Sequence, residues 1–202
     1  KFDKGSKKHE IKAVFRRLEV NDWINPFKDV KSSDWFYEAV AFANQNGLLN
    51  GITEDTFGPD IDLTRGMIVT ILYRHSKAQI TKYSTFNDVN RYAYYSNAIA
   101  WAADNGIVNG MGNNLFAPDT EITREQLVTI LYRYAKYLNR DISDRVDITN
   151  YEDANKVGSY AMAAMEWAVA NKLVSGRTAT TLAPQGTASR AEVATILMRF
   201  CK

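Results

Sequence analysis

Leu63-Thr64-Arg65, Ile122-Thr123-Arg124 and Ala188-Ser189-Arg190 are three versions of one phrase, and reading them as helix starts decides the fold. Thr64, Thr123 and Ser189 each follow a proline-containing turn and precede an apolar run. Such residues cap a helix by accepting a backbone N–H bond. Gln126 and Glu192, three positions on, complete a capping box, whereas Met67 leaves the first cap weaker. The arginines are unexpected, because a cation in the first turn opposes the helix dipole. Its recurrence in all three phrases predicts that each guanidinium meets a carboxylate or an external anion.

Working outward, the chain repeats itself. With Phe42, Trp101 and Trp167 in register, Gly51, Gly110 and Gly176 coincide, as do Pro59, Pro118 and Pro184. Arg74, Arg133 and Arg199 coincide too, and are expected to be solvated or bonded to loop carbonyls. The extra length of the second interval falls in the polar connection near Asn139 to Asn150. The spacing divides the chain into a leader at 1–25 and repeats at 26–82, 83–143 and 144–202.

Each repeat reads as two helices joined by an ordered loop. Phe36, Ala39, Val40 and Ala43 form the first apolar stripe. Tyr95, Ala98, Ile99 and Ala102, then Ala161, Ala164, Met165 and Ala168, form its counterparts. Ser32, Ser33 and Asp34 offer N-caps for the first of these helices. Gly47 and Gly106 stand where a left-handed C-cap is wanted, and Lys172 at that place predicts a different third turn. The loops carry Phe57, Phe116 and Leu182 as inward-packing residues. The second helices carry Ile68, Ile71 and Leu72; Leu127, Val128, Ile130 and Leu131; and Val193, Ile196 and Leu197. No strand-like alternation persists, so the fold class is all-α. Three such repeats must share a core, as a short solenoid or a closed bundle; periodicity leaves both open.

Composition bounds the function. The chain has 202 residues, 46% hydrophobic and 24% charged, with net charge +2, so general polyanion or nucleic-acid binding has no support. Cys201 is the single cysteine, which excludes an internal disulfide. No stretch approaches the roughly 20 apolar residues that span a bilayer. No secretory signal pattern opens the chain, which starts without Met and reads as a trimmed fragment. In the leader, Ile11, Val14, Phe15 and Leu18 have the spacing of one helix face. His9 and His75 lack an aligned partner for a base-and-nucleophile set, and Cys201 has no repeat counterpart. No catalytic, metal or cofactor site is expected, so the reading is non-enzymatic.

With the repeats aligned, the chain resembles three tandem S-layer homology motifs over residues 27–202. The resemblance rests on Phe27-Lys28-Asp29-Val30 and Phe86-Asn87-Asp88-Val89, with Tyr151-Glu152-Asp153-Ala154 a weaker version. Asn50-Gly51 and Asn109-Gly110, the loops from Phe57 to Asp60 and Phe116 to Asp119, and the Thr-Arg helix starts complete it. It implies a pseudo-threefold bundle with grooves between lobes. It also implies non-covalent attachment to secondary cell-wall polysaccharide of a Gram-positive-type envelope, commonly through pyruvylated N-acetylmannosamine. By position, the implied carbohydrate-binding residues are Arg65, Arg124 and Arg190, with Asp29, Asp88 and Asp153. Trp35, Tyr94 and Tyr160 are the implied aromatics, and Gly47 and Gly106 the close-approach glycines. An upstream cargo domain outside the fragment is the implied partner.

Departures from the pattern rank the second site most intact: Gly66-Met67 weakens the first signature, and Lys172 and Gln185 the third. An arginine fork beside free helix N–H groups suits a ketal carboxylate. The bland alternative pairs each arginine with Asp29, Asp88 or Asp153. Each of Trp35, Tyr94 and Tyr160 either stacks on a sugar or serves as a core aromatic. Trp101 and Trp167 read as core. A protein–protein or self-assembly module without sugar binding is the alternative function. Arg124→Ala is expected to weaken polysaccharide binding and leave melting nearly unchanged.

Overall fold

The computed structural model describes residues 23–202, so the leader helix expected around Ile11 to Leu18 lies outside the described residues. Six α-helices follow: α1 (Tyr37–Gln45), α2 (Arg65–Ser76), α3 (Ser96–Asp104), α4 (Arg124–Tyr137), α5 (Met162–Ala170) and α6 (Arg190–Cys201). A 3-10 turn at Ala154–Lys156 precedes α5. The class is all-α, as expected.

The caps behave as their residue types dictate at the second helices. Thr123 and Ser189 close full capping boxes with Gln126 and Glu192, while Thr64 accepts only the Met67 N–H. The first helices differ from expectation. Helix α1 starts after Phe36 with no side-chain cap, and Asp34 uses its carboxylate on the Lys31 N–H instead. Its backbone carbonyl accepts from Tyr37, so a tight turn nucleates the helix.

Helices α1, α3 and α5 end alike. In each, the N–H two residues past the C-cap donates back to the third-from-last position, Leu48 to Ala43, Ile107 to Ala102 and Leu173 to Ala168, each at 2.8 Å. Gly47 and Gly106 take φ of 64° and 67° in these turns. Lys172 adopts 56°, so the third turn does not differ as its sequence suggested. The surrounding hydrogen bonds impose the left-handed conformation on a residue that disfavours it.

Packing crosses the repeat boundaries: α1 lies on α6, α2 on α3 and α4 on α5. Each lobe therefore joins the second helix of one repeat to the first helix of the next. The choice between solenoid and closed bundle is made at the axis. There the Leu63 N–H donates to Ala188 O (3.0 Å), Ala188 N–H to Ile122 O (3.1 Å) and Ile122 N–H to Leu63 O (2.8 Å). These three bonds form a closed ring, so the bundle is pseudo-threefold. Leu63, Ile122 and Ala188 are fully buried inside it. Phe57, Phe116 and Leu182 are fully buried from the loops, each worth about 1.5–3 kcal/mol of burial. Trp101 and Trp167 are core, as read from sequence.

Candidate functional site

The loops that carry the repeated Phe, Phe and Leu are built by aspartate. The Asp29 carboxylate accepts from the N–H groups of Phe57 (2.8 Å) and Gly58 (2.7 Å). Asp88 accepts from Phe116 (2.8 Å) and Ala117 (2.6 Å), and Asp153 from Leu182 (2.8 Å) and Ala183 (2.7 Å). Gly58, Ala117 and Ala183 all have positive φ, which turns successive N–H groups to one side, where a carboxylate satisfies both. Desolvation opposes the Asp88 anion, but the Phe116 and Ala117 amides outweigh it and hold its pKa below the ordinary value.

The arginines grip the same loop residues from the neighbouring repeat. Arg65 Nε donates to Phe116 O (3.0 Å), Arg124 Nε to Leu182 O (3.0 Å) and Arg190 Nε to Phe57 O (2.7 Å). Their Nη2 groups donate to the carbonyls of Asn109, Ser175 and Asn50. The guanidinium carbons of Arg65 and Arg190 also sit 4.7 and 4.6 Å from the Phe116 and Phe57 ring centroids. All three arginines are nearly sealed, with exposures of 4, 6 and 7%. Burial lowers the pKa of each, opposed by the charges of Asp88 for Arg65, Glu192 for Arg124 and Asp29 for Arg190.

The main partners of each arginine are loop carbonyls, and the aspartate joins it through the backbone of the residue they share. Of the three, Arg124 also has the expected carboxylate, Glu192 at 4.0 Å, and none pairs directly with Asp29, Asp88 or Asp153 among the described residues. The helix-end donors are also taken. Arg65, Arg124 and Arg190 N–H bond to Thr120, Gly186 and Ile61 carbonyls, and the next N–H groups bond to Pro118, Pro184 and Pro59. No open N–H nest is left at these three termini for an anion.

What remains open beside Arg65 is one edge of the fork, where a groove begins. Beside Arg65 lies a cavity of about 240 Å³ lined by Asn109, Gly110, Gln126, Arg133 and Tyr160. Gln126 Oε1 lies 3.5 Å from Arg65 Nη1, and no carboxylate is among the lining residues. A Cβ on Gly110 would fall 2.7 Å from Leu115 O and from the Phe86 ring, so this wall needs glycine. Tyr160 donates its hydroxyl to the buried Glu125 (2.6 Å), which also accepts from Gly158 N–H (2.8 Å). Burial and then that carboxylate raise the Tyr160 pKa, keeping the phenol neutral.

A wider cavity of about 530 Å³ lies beside Trp35, lined also by Trp23, Asp34, Glu38, Thr195 and Arg199. In repeat register Trp35, Thr195 and Arg199 are the counterparts of Tyr160, Thr129 and Arg133, so the two cavities are versions of one groove. Trp35, Tyr94 and Tyr160 are 68, 62 and 54% exposed, which corrects the core alternative for these aromatics. Gly47 and Gly106 line neither cavity and act as helix ends.

Residues missed by the sequence reading are Asn109, Gln126, Glu125 and Arg133. Their signal was the repeat register itself, which had assigned Gln126 to capping alone. The grooves are composite. The Arg65 cavity takes its guanidinium from the first repeat, most of its wall from the second and its ring from the third. Ranking sites by single repeats therefore does not describe them.

The fold brings together a histidine and a cysteine that the repeat register left without partners. Cys201 Sγ lies 3.6 Å from His75 Nε2, and His75 Nδ1 lies 2.6 Å from Tyr134 Oη. Burial raises the thiol to about 11 and lowers the imidazole pKa, which disfavours a thiolate–imidazolium pair. Among the described residues no cluster of His, Cys, Asp and Glu could hold a metal, and no helix is long and apolar enough to cross a membrane.

These features define a class: a closed ring of helical hairpins presenting polar grooves between lobes. The S-layer homology domain family matches at residues 26–66, 85–128 and 150–194, more than half of the chain, and the chain belongs to that family. Among its relatives, an endoglucanase of Bacillus sp. (strain KSM-635) is 28% identical over 173 residues, 85% of this chain and 18% of that protein. The surface-layer 125 kDa protein of Lysinibacillus sphaericus is 28% identical over 172 residues, covering 84% of this chain and 14% of that protein. The cellulosome-anchoring protein of Acetivibrio thermocellus is 25% identical over 180 residues, covering 86% and 38%. The chain thus spans well under two thirds of each of these relatives.

Proposed function

We propose that the protein is a non-catalytic anchor working outside the cell, in the wall or S-layer of a Gram-positive-type bacterium. It holds secondary cell-wall polysaccharide without a covalent bond, with a pyruvylated N-acetylmannosamine end in the Arg65 groove. The carrying observation is the chemistry of that groove: Arg65 and Arg133 both line it, Gln126 and Asn109 add uncharged groups, and Tyr160 exposes a ring. A guanidinium matches a carboxylate in charge and geometry, and contacts to charged groups are worth about 1.5–3 kcal/mol each. Family membership supports the reading, as do relatives named for a surface layer and for anchoring. The endoglucanase likeness fits a shared anchoring module beside a separate cargo domain.

Binding to purified wall polysaccharide, with and without its pyruvyl groups, tests the proposal. The native polymer should bind and the depyruvylated polymer should not. Equal binding of both would overturn the acidic-end reading. Self-association of the protein with no polysaccharide affinity would favour an assembly module instead.

A further inference from the structure

Glu125 is a buried carboxylate, 3% exposed, that belongs neither to the arginine clamps nor to the lining of the groove. It stands second in α4, where a negative charge meets the positive end of the helix dipole. Each of its oxygens takes one donor: Oε1 the Tyr160 hydroxyl at 2.6 Å, Oε2 the Gly158 N–H at 2.8 Å. A hydroxyl-to-carboxylate bond of that length is charge-assisted and roughly twice as strong as a neutral one. Gly158 lets the ring fold back over the turn, since a Cβ there would fall 2.7 Å from the Tyr160 ring and 3.4 Å from Glu125 Oε1. The charges of Arg65 and Arg133 act on the Tyr160 phenol in opposition to Glu125, so this bond runs beside both groove cations.

The other two lobes are built without it. In repeat register Glu125 corresponds to Gly66 and Ala191, and Gly158 to Tyr92 and Ser33. At Gly66 a Cβ would already lie 3.0 Å from the Tyr95 ring, so that lobe has no room for a carboxylate. Tyr94 meets the Tyr95 ring at 4.9 Å and Trp35 the Phe36 ring at 5.3 Å. Neither has a side-chain hydrogen bond among the described residues. Of three equivalent exposed aromatics, one is tied down at its polar end.

We propose that Glu125 is a positioning residue that acts through Tyr160, fixing the ring as a wall of the Arg65 groove before a ligand arrives. It rests on the reading of that groove as the site for the acidic sugar end. A ring already in place loses little freedom on binding, which is the general gain from preorganisation. The bond also uses the only proton of the phenol, so Tyr160 offers a ligand its ring face but no donor, and the acid is left to the arginines.

The test is a double-mutant cycle on the whole chain. Tyr160→Phe keeps the ring and cuts the bond from one side; Glu125→Ala cuts it from the other. Calorimetry gives the affinity of each folded variant for purified wall polysaccharide, native and depyruvylated. Each single variant should bind the native polymer roughly fivefold more weakly, the scale of ordering one side chain on binding. The double variant should bind no worse than either, because both act through one bond. Glu125→Ala also strips the Gly158 N–H and costs stability. Glu125→Gln, whose amide can still bond the hydroxyl, is therefore the control and should bind within about twofold of the parent protein. In NMR spectra the Tyr160 hydroxyl proton should exchange slowly in the parent and fast in Glu125→Ala. The proposal is overturned if either single variant binds like the parent, or if their losses add in the double. If the parent binds native and depyruvylated polymer alike while the cycle holds, the acidic-end reading fails and the role of Glu125 stands. If only native polymer binds and the cycle fails, the reverse is true.

Discussion

Asp88 and Arg65, from different repeats, hold the two backbone polar groups of a single residue: Asp88 accepts the Phe116 N–H and Arg65 donates to the Phe116 carbonyl. The same clamp joins Asp153 to Arg124 through Leu182, and Asp29 to Arg190 through Phe57. Three clamps of this kind close the ring. The repeated arginine is therefore first a structural fastener, and Arg65 also turns one edge to a groove.

Arg124→Ala should destabilise the fold, reversing the expectation from sequence. It strips the donor from the buried Leu182 carbonyl, at about 1–3 kcal/mol for a buried group left unpaired, and a second donor from the carbonyl of the exposed Ser175. Chemical denaturation should show a loss of about 1–3 kcal/mol, and Arg124→Lys should recover little because lysine lacks the fork. An unchanged denaturation midpoint would remove the fastener argument.

Arg133→Ala should do the reverse. Arg133 is half-buried on the groove wall and holds no loop carbonyl among the described residues. Affinity for pyruvylated polysaccharide should fall roughly tenfold, the loss of about one charge-assisted contact. The melting temperature should stay close to that of the parent protein.

Lys172→Gly should stabilise. Lys172 holds φ of 56°, a conformation that costs an L-residue about 1–2 kcal/mol and glycine almost nothing. Part of that gain is lost to the greater freedom of glycine in the unfolded chain, leaving about 0.5–1 kcal/mol. Gly106→Ala should cost a similar amount through strain alone, since a Cβ there meets no atom within 4 Å. Paired thermal melts would check both.

Stability should fall in mild acid because of His75. Burial lowers its pKa, helped by Arg140 and Lys77, so the folded state favours the neutral ring. A depressed base contributes its full stability above the unfolded value near 6.5 and loses it as pH drops toward the folded pKa. Asp88 acts lower: its depressed carboxylate pKa stabilises the fold above about 4 and fails below that. Melting temperature against pH should show two declines, the upper absent in His75→Gln and the lower reduced in Asp88→Asn.

The sequence by itself determined the repeat, the helices and the second-helix caps. These depend on short-range patterns: apolar spacing along one face, and Thr123 or Ser189 reaching N–H groups three positions ahead. It did not determine what the arginines touch. Arg65 meets Phe116, 51 positions away, and Arg190 meets Phe57, 133 positions away, and both pairings exist only once the ring has closed. Register also placed Trp35, Tyr94 and Tyr160 together, but only packing decided that their rings face water. Tertiary structure likewise set the neutral Gln126 beside one fork and the anionic Glu192 beside another, giving equivalent arginines different charge environments. Local physics writes the helices; which groups are sealed and which stay open follows from how three hairpins share one axis.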